Sequence, residues 1–169
     1  MNPLGSILDI VPGTVPADLQ TYVAGDFVSL KNAEGCLVVF FKGVGTAADD
    51  PVLELQQATT VAGGSVKDLN GFIDIYKKQG ALLSAVGSWT KVSQTADEDF
   101  TGDATSAEEQ GLYAAYIPAN ILDVDNGFDC LQVNCKDVGN NAQLGCILYI
   151  LIGLRYPDAP ANLPSAIVD

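Results

Sequence analysis

Short runs rich in β-branched and aromatic residues recur along this chain at roughly 10 to 15 residue intervals, each closed by glycine, asparagine or proline. That punctuation is the strongest constraint on the fold. A stable helix needs a longer stretch of 3.6-residue periodicity than these turns leave free. Phe27-Val28-Ser29-Leu30-Lys31, a turn at Asn32–Gly35, and Cys36-Leu37-Val38-Val39-Phe40-Phe41 predict a hairpin. Further strands are expected over Val52–Thr60, Phe72–Lys78, Leu82–Val92, Gly111–Ile117 and Phe128–Val138. Phe128–Val138 alternates, with Leu131, Val133 and Cys135 on one side and Gln132, Asn134 and Lys136 on the other. Leu144–Leu154 is apolar at both parities, as a central or interface strand should be. The expected fold is all-β: a single β-sandwich or jelly-roll-like domain with extended N- and C-terminal arms.

The arms are drawn from proline placement. Residues 1–25 contain Pro3, Pro12 and Pro16, and residues 157–169 contain Pro157, Pro160 and Pro164. The body then spans 26–156. Proline removes backbone donors and holds the chain extended. Leu4, Ile7, Ile10, Leu163 and Ile167 are therefore expected as anchors on a capsid or a neighbouring subunit. Because nothing in the body obviously buries them, a homotrimer is expected, and deletion of either arm should leave the body folded.

Charge and residue types then narrow the chemistry. Lys plus Arg number 8 against 21 Asp plus Glu, a formal charge of −13, which is the opposite of a nucleic-acid-binding footprint. There is no histidine, which removes His-based triads, His-ligated metal sites and His pH sensing. The longest strongly apolar run, Cys146–Leu154, is too short to cross a bilayer as a helix. The first ten residues carry no Lys or Arg, so no secretory leader is expected and synthesis in a host cytoplasm is. Cys36, Cys130, Cys135 and Cys146 form no CxxC pair and are expected as buried, reduced thiols.

Three segments resemble binding motifs without meeting their requirements. Asp123-Val124-Asp125-Asn126-Gly127 resembles the start of a calcium loop, but its glycine comes one residue early and Asn134 stands where the bidentate Glu belongs. A tight turn at Asn126-Gly127 is expected instead. Gly43-Val44-Gly45 lacks the spacing and lysine of a phosphate loop. Nine carboxylates and no Lys or Arg lie between Lys91 and Lys136, and the acidic loop at 97–109 is expected as a solvated face. No catalytic, cofactor-binding or metal-ligating residue is assigned, and an enzyme is not expected.

Several segments carry a resemblance. They are Asp26–Asn32, Ile75–Gly80, Gly127–Leu131, Asn141–Gly145 running into Leu148–Leu151, Arg155-Tyr156 and Leu163–Asp169. Together they resemble a family of small virion proteins of tailed bacteriophages encoded in the head-gene block. The resemblance implies a virion structural protein on the capsid surface. Its nearest role is a decoration, or cement, protein that binds the major capsid protein and stabilises the head. A neck, tail or other minor virion component is the alternative, and a carbohydrate-binding module a more distant one. The family supplies no catalytic residues.

Overall fold

The computed structural model describes residues 3–85, 87–163 and 165–167. Among them are eleven strands: β1 (Leu8–Asp18), β2 (Val28–Ser29), β3 (Gly35–Lys42), β4 (Val52–Ala58), β5 (Lys67–Asp68), β6 (Phe72–Gly80), β7 (Thr90–Asp97), β8 (Asp99–Thr101), β9 (Gln110–Pro118), β10 (Cys130–Cys135) and β11 (Leu144–Ile152). They form two antiparallel sheets that make one sandwich. The larger runs β1-β11-β3-β9-β6-β7; the smaller runs β2-β10-β4-β5, with β8 also paired to β4. Helical structure is confined to four short 3-10 turns among the described residues.

The pairing is nested. β1 pairs with β11, β2 with β10, β3 with β9 and β4 with β5, as if one long hairpin had been folded across both sheets. Strands β6 and β7 are inserted between β5 and β9 and widen the larger sheet beyond β9.

Alternation decides which side chains meet between the sheets. Cys36, Val38 and Phe40 of β3, Ile147, Tyr149 and Leu151 of β11, and Tyr113, Ala115 and Ile117 of β9 point inward. Leu53 and Leu55 of β4 and Leu131, Val133 and Cys135 of β10 oppose them in the same core. Burial of each large aliphatic or aromatic side chain among them stabilises by roughly 1.5–3 kcal/mol. Phe40, Tyr113, Phe100 and Phe72 form a chain of ring contacts at 5.8, 5.8 and 6.4 Å between centroids. The Tyr149 hydroxyl accepts a hydrogen bond from the Val133 N–H at 2.8 Å, a polar tie between β11 and β10 inside the core. Burial pushes the Tyr149 phenol far above its ordinary range.

Several expectations are corrected. Residues 8–18 are not a free arm: β1 is the edge strand of the larger sheet, from Leu8 opposite Ile152 to Asp18 opposite Leu144. The C-terminal segment also lies on the body. The Ser29 N–H donates to the Ala166 carbonyl at 2.7 Å, the Asp158 N–H donates to the Gly5 carbonyl at 3.0 Å, and Ala166 and Ile167 pack on the core. The arms as drawn also include Met1, Asn2, Pro164, Val168 and Asp169, which lie outside the described residues. The predicted hairpin does not form. β2 and β3 lie in different sheets, because both edges of β3 are taken by longer partners, β11 and β9. Gly127 does supply a left-handed residue (φ 83°), closing the 3-10 turn Val124–Asn126.

Candidate interaction surface

Of the residues expected to anchor the chain, three come together. Ile10, Leu163 and Ile167 line a cleft of about 240 Å³ between β1 and the C-terminal segment. Ile167 is half-buried against the core and Ile10 is 51% exposed. Leu4 is half-buried beside Leu8, and Ile7 is exposed just before β1; neither lines that cleft.

Strand register identifies a larger surface. In β11 the odd positions from Gly145 to Leu151 are buried, so Leu144, Cys146, Leu148, Ile150 and Ile152 face outward. In β3 the outward set is Leu37, Val39 and Phe41, and in β9 it is Leu112, Ala114 and Tyr116. The ladders align these residues in rows. Pro12, Leu148, Val39, Ala114 and Tyr76 form one row, and Ile10, Ile150, Leu37 and Tyr116 the next. Cys146, Phe41 and Leu112 form a third, which Lys78 of β6 ends. Lys91 of β7 stands opposite Tyr76 and closes the first row; apart from these two terminal lysines, the rows carry no charged residue. Phe41, Tyr76, Tyr116 and Leu148 are 39–49% exposed, and no α-helix among the described residues covers them.

The rim is polar on the β6–β7 side. Lys91 pairs with Asp74 at 2.7 Å, and the Lys78 ammonium lies 4.9 Å from the Trp89 ring centroid. An apolar centre, exposed aromatics and a mixed-charge rim are the composition of protein–protein contact surfaces. The signal in the sequence was the double-sided apolarity of β11. It marked the strand, but only register could show that β3 and β9 extend the same face.

A groove of about 670 Å³ opens near this face. Tyr116, Pro118 and Leu122 line it, along with Lys31, Glu34, Asp129 and Arg155, the chain's single arginine.

The acidic segment is fastened to the body by lysines. Lys42 is fully buried, and its ammonium donates to the carbonyls of Ser106, Ala107 (3.4 Å) and Glu109 (2.6 Å). Burial pulls its pKa down to about 8, against the opposing pull of Asp50, Glu109 and Glu108. Asp50 accepts from the Ser106 hydroxyl at 2.6 Å and the Ala107 N–H at 2.9 Å. Lys77 binds Asp103. Although burial acts in the opposite direction, Lys77, Gln79 and Thr105 hold that carboxyl well below the usual range. Lys136 reaches Asp99 at 2.7 Å and Glu54 at 3.3 Å. In the Asp123–Asp129 segment, Asp123 is engaged by Lys67 and by the Asn126 amide at 2.8 Å. No group of three or more His, Cys, Asp or Glu is placed to hold a metal among the described residues.

Cys36, Cys130 and Cys135 are buried and Cys146 is half-buried, all as free thiols. No helix of the described residues is long and apolar enough to cross a membrane. Comparison with family models, curated proteins and solved structures yields no match to this chain.

Proposed function

We propose that the chain is a structural protein of a bacteriophage virion, and specifically a capsid decoration protein that binds the outside of the head and stabilises the shell. The observation that carries this reading is the uncovered sheet face. A chain of formal charge −13 keeps rows of apolar side chains on β1, β11, β3 and β9 clear of charge. Folding buries those outward side chains only in part, and docking against another protein surface removes the rest of their area from water. The acidic remainder suits the outside of a DNA-filled shell, where it stays off the genome. We read the nested strand order as a jelly-roll arrangement, which recurs in viral capsid domains; that support is analogy of fold.

The partner on this reading is the major capsid protein. A cement protein binds the assembled lattice and not its dissociated subunits, so it stabilises the shell by mass action. The test adds purified protein to heads that lack it, counting bound copies and measuring DNA retention on heating. Saturable binding with DNA release at higher temperature is expected. Absence of binding to heads sinks the decoration role. Binding to isolated neck or tail complexes instead moves the protein to the alternative position.

A further inference from the structure

We infer that the outward face of the six-stranded sheet is a homotypic interface, through which two copies of this chain pack face to face about a two-fold axis. The inference rests on the reading of that face as an assembly contact: it gives the face to a second copy, and the head is then held by surface that the pair leaves free.

Charge selects the occupant. A basic partner would be met by acidic residues, yet the outward positions of β11 and β3, of β9 from Leu112 to Pro118, and of β1 from Leu8 to Pro12 contain no Asp or Glu. Two chains of −13 repel one another, so they can associate only through a face from which acids are absent. The acids lie at the rim: Asp74 is neutralised by Lys91, and Asp18 stands at the sheet edge opposite Leu144. The face therefore matches a surface of its own character.

Area and shape agree with this choice. Ile10, Phe41, Tyr76, Tyr116, Leu144 and Leu148 are 39–63% exposed. These side chains alone present on the order of 600 Å², the upper end for the largest patch on an ordinary monomer. Their half-buried neighbours bring the face close to the roughly 800 Å² per partner that a standard interface buries. The β11–β3 and β3–β9 ladders run without a register break, giving a regular pleated surface. Such a surface packs on a copy of itself at roughly 10 Å, as sheets do inside a sandwich, and a two-fold places the same residues on both sides. The trimer expected from the sequence needed free arms seeking cover. β1 lies in the sheet and Ala166 and Ile167 pack on the core, so of those anchors Ile7 and Ile10 are left exposed, and Ile10 stands in this face.

The test is sedimentation velocity and light scattering of the full chain from micromolar to submillimolar concentration. Twice 17.7 kDa is expected. Phe41→Glu and Leu148→Glu put a charge in the centre of the face and should weaken self-association by about 100-fold or more. Val66→Glu, at an exposed position outside the face, should leave the dimer intact. Cys146 gives a reading without mutation. It is the one outward cysteine of the face and half-buried, whereas the other three are buried. Its labelling by a maleimide should slow as concentration rises. A monomer throughout the range, a trimer, a dimer that survives both substitutions, or concentration-independent labelling would each overturn the inference. A dimer that ignores heads rejects the decoration reading alone; a monomer that binds heads rejects the dimer alone.

Discussion

The two sheets share one core and present opposite chemistry to the outside. On the smaller sheet the outward positions of β10 and β4 include two polar pairs, Gln132–Gln56, continued by Asp68 of β5, and Asn134–Glu54; the third pair, Cys130–Ala58, is buried against Phe27. The polar groups satisfy one another. The Asn134 amide donates to Gln56 at 3.1 Å and to Glu54 at 3.2 Å, and the Gln56 amide donates to Asp68 at 3.0 Å. The chain also folds over these polar pairs, since the Gly25 N–H donates to Asn134 Oδ1 at 3.1 Å and Tyr22 donates to Glu54 at 3.2 Å. Burial, with help from Glu54, pushes Tyr22 up to about 12. On the larger sheet the corresponding rows are aliphatic and aromatic, and no segment among the described residues supplies a similar polar cover. Alternation in a half-solvated sheet yields the first pattern without further cause. The second has no use in the isolated fold, which is why it points to contact with another molecule.

The largest effect should come from crossing to the inward face of the apolar sheet. Ile147 is 1% exposed and packs in the core, whereas Leu148 beside it faces out. Ile147→Ala should cost about 3 kcal/mol, transfer and cavity terms together. Denaturant midpoints at dilute protein would measure this, and a loss under about 1 kcal/mol would break the assignment of faces.

Lys42 provides the next test, because it shows what an inward charge requires. In the unfolded chain its pKa is near the ordinary 10.5; burial lowers it to about 8 in the fold. Between those values the unfolded chain binds more protons, so this group makes stability rise with pH across the window. Relative to Lys42→Met, the native protein should gain about 2 kcal/mol between pH 8 and pH 10. A flat difference would mean that the carbonyl cage leaves the ammonium fully compensated.

Tyr149→Phe should cost about 1 kcal/mol. It leaves the Val133 N–H without its partner inside the core while conserving the ring. An unchanged midpoint would indicate that β10 and β11 are held by packing alone.

Much of this layout was legible in the sequence, and the failures have physical reasons. β4, β6, β9, β10 and β11 follow from alternation and turn residues, since the period of two is written in the chain. β1 was hidden by Pro12 and Pro16. An edge strand tolerates proline because one side needs no donors, and the register shifts after Pro12 and after Thr14 fall among these prolines. The hairpin expected between β2 and β3 failed because local turn signals do not report that β11, more than a hundred residues later, claims an edge of β3. Lys42 continues the inward parity of Cys36, Val38 and Phe40, yet a lysine at an inward position carries no sequence signal of what would hold it. Its partners are backbone carbonyls of a distant segment, which have no signature in sequence. The apolar face was visible in one strand only, because rows across strands exist only once register is set.

The smallest effect concerns Leu148 itself and tests the comparison most closely. At 39% exposure it loses part of its water contact by folding, mainly to its neighbours in the face. Leu148→Ser should therefore cost the monomer no more than about 1 kcal/mol, the transfer term of its partly buried side chain. The parent molecule, however, is stabilised by whatever binds the folded state and not the unfolded one. If two copies meet through this face, the parent's melting temperature climbs with protein concentration, and the variant's climbs less. The two melting curves should lie closest at the lowest concentration and separate further as it rises. An outward position on the smaller sheet supplies the reference: Gln132→Ser should shift the curve by the same amount at every concentration, because its amide bonds the Gly25 carbonyl of its own chain. Parallel curves for Leu148→Ser as well would leave the two outer faces different in composition and equal in role.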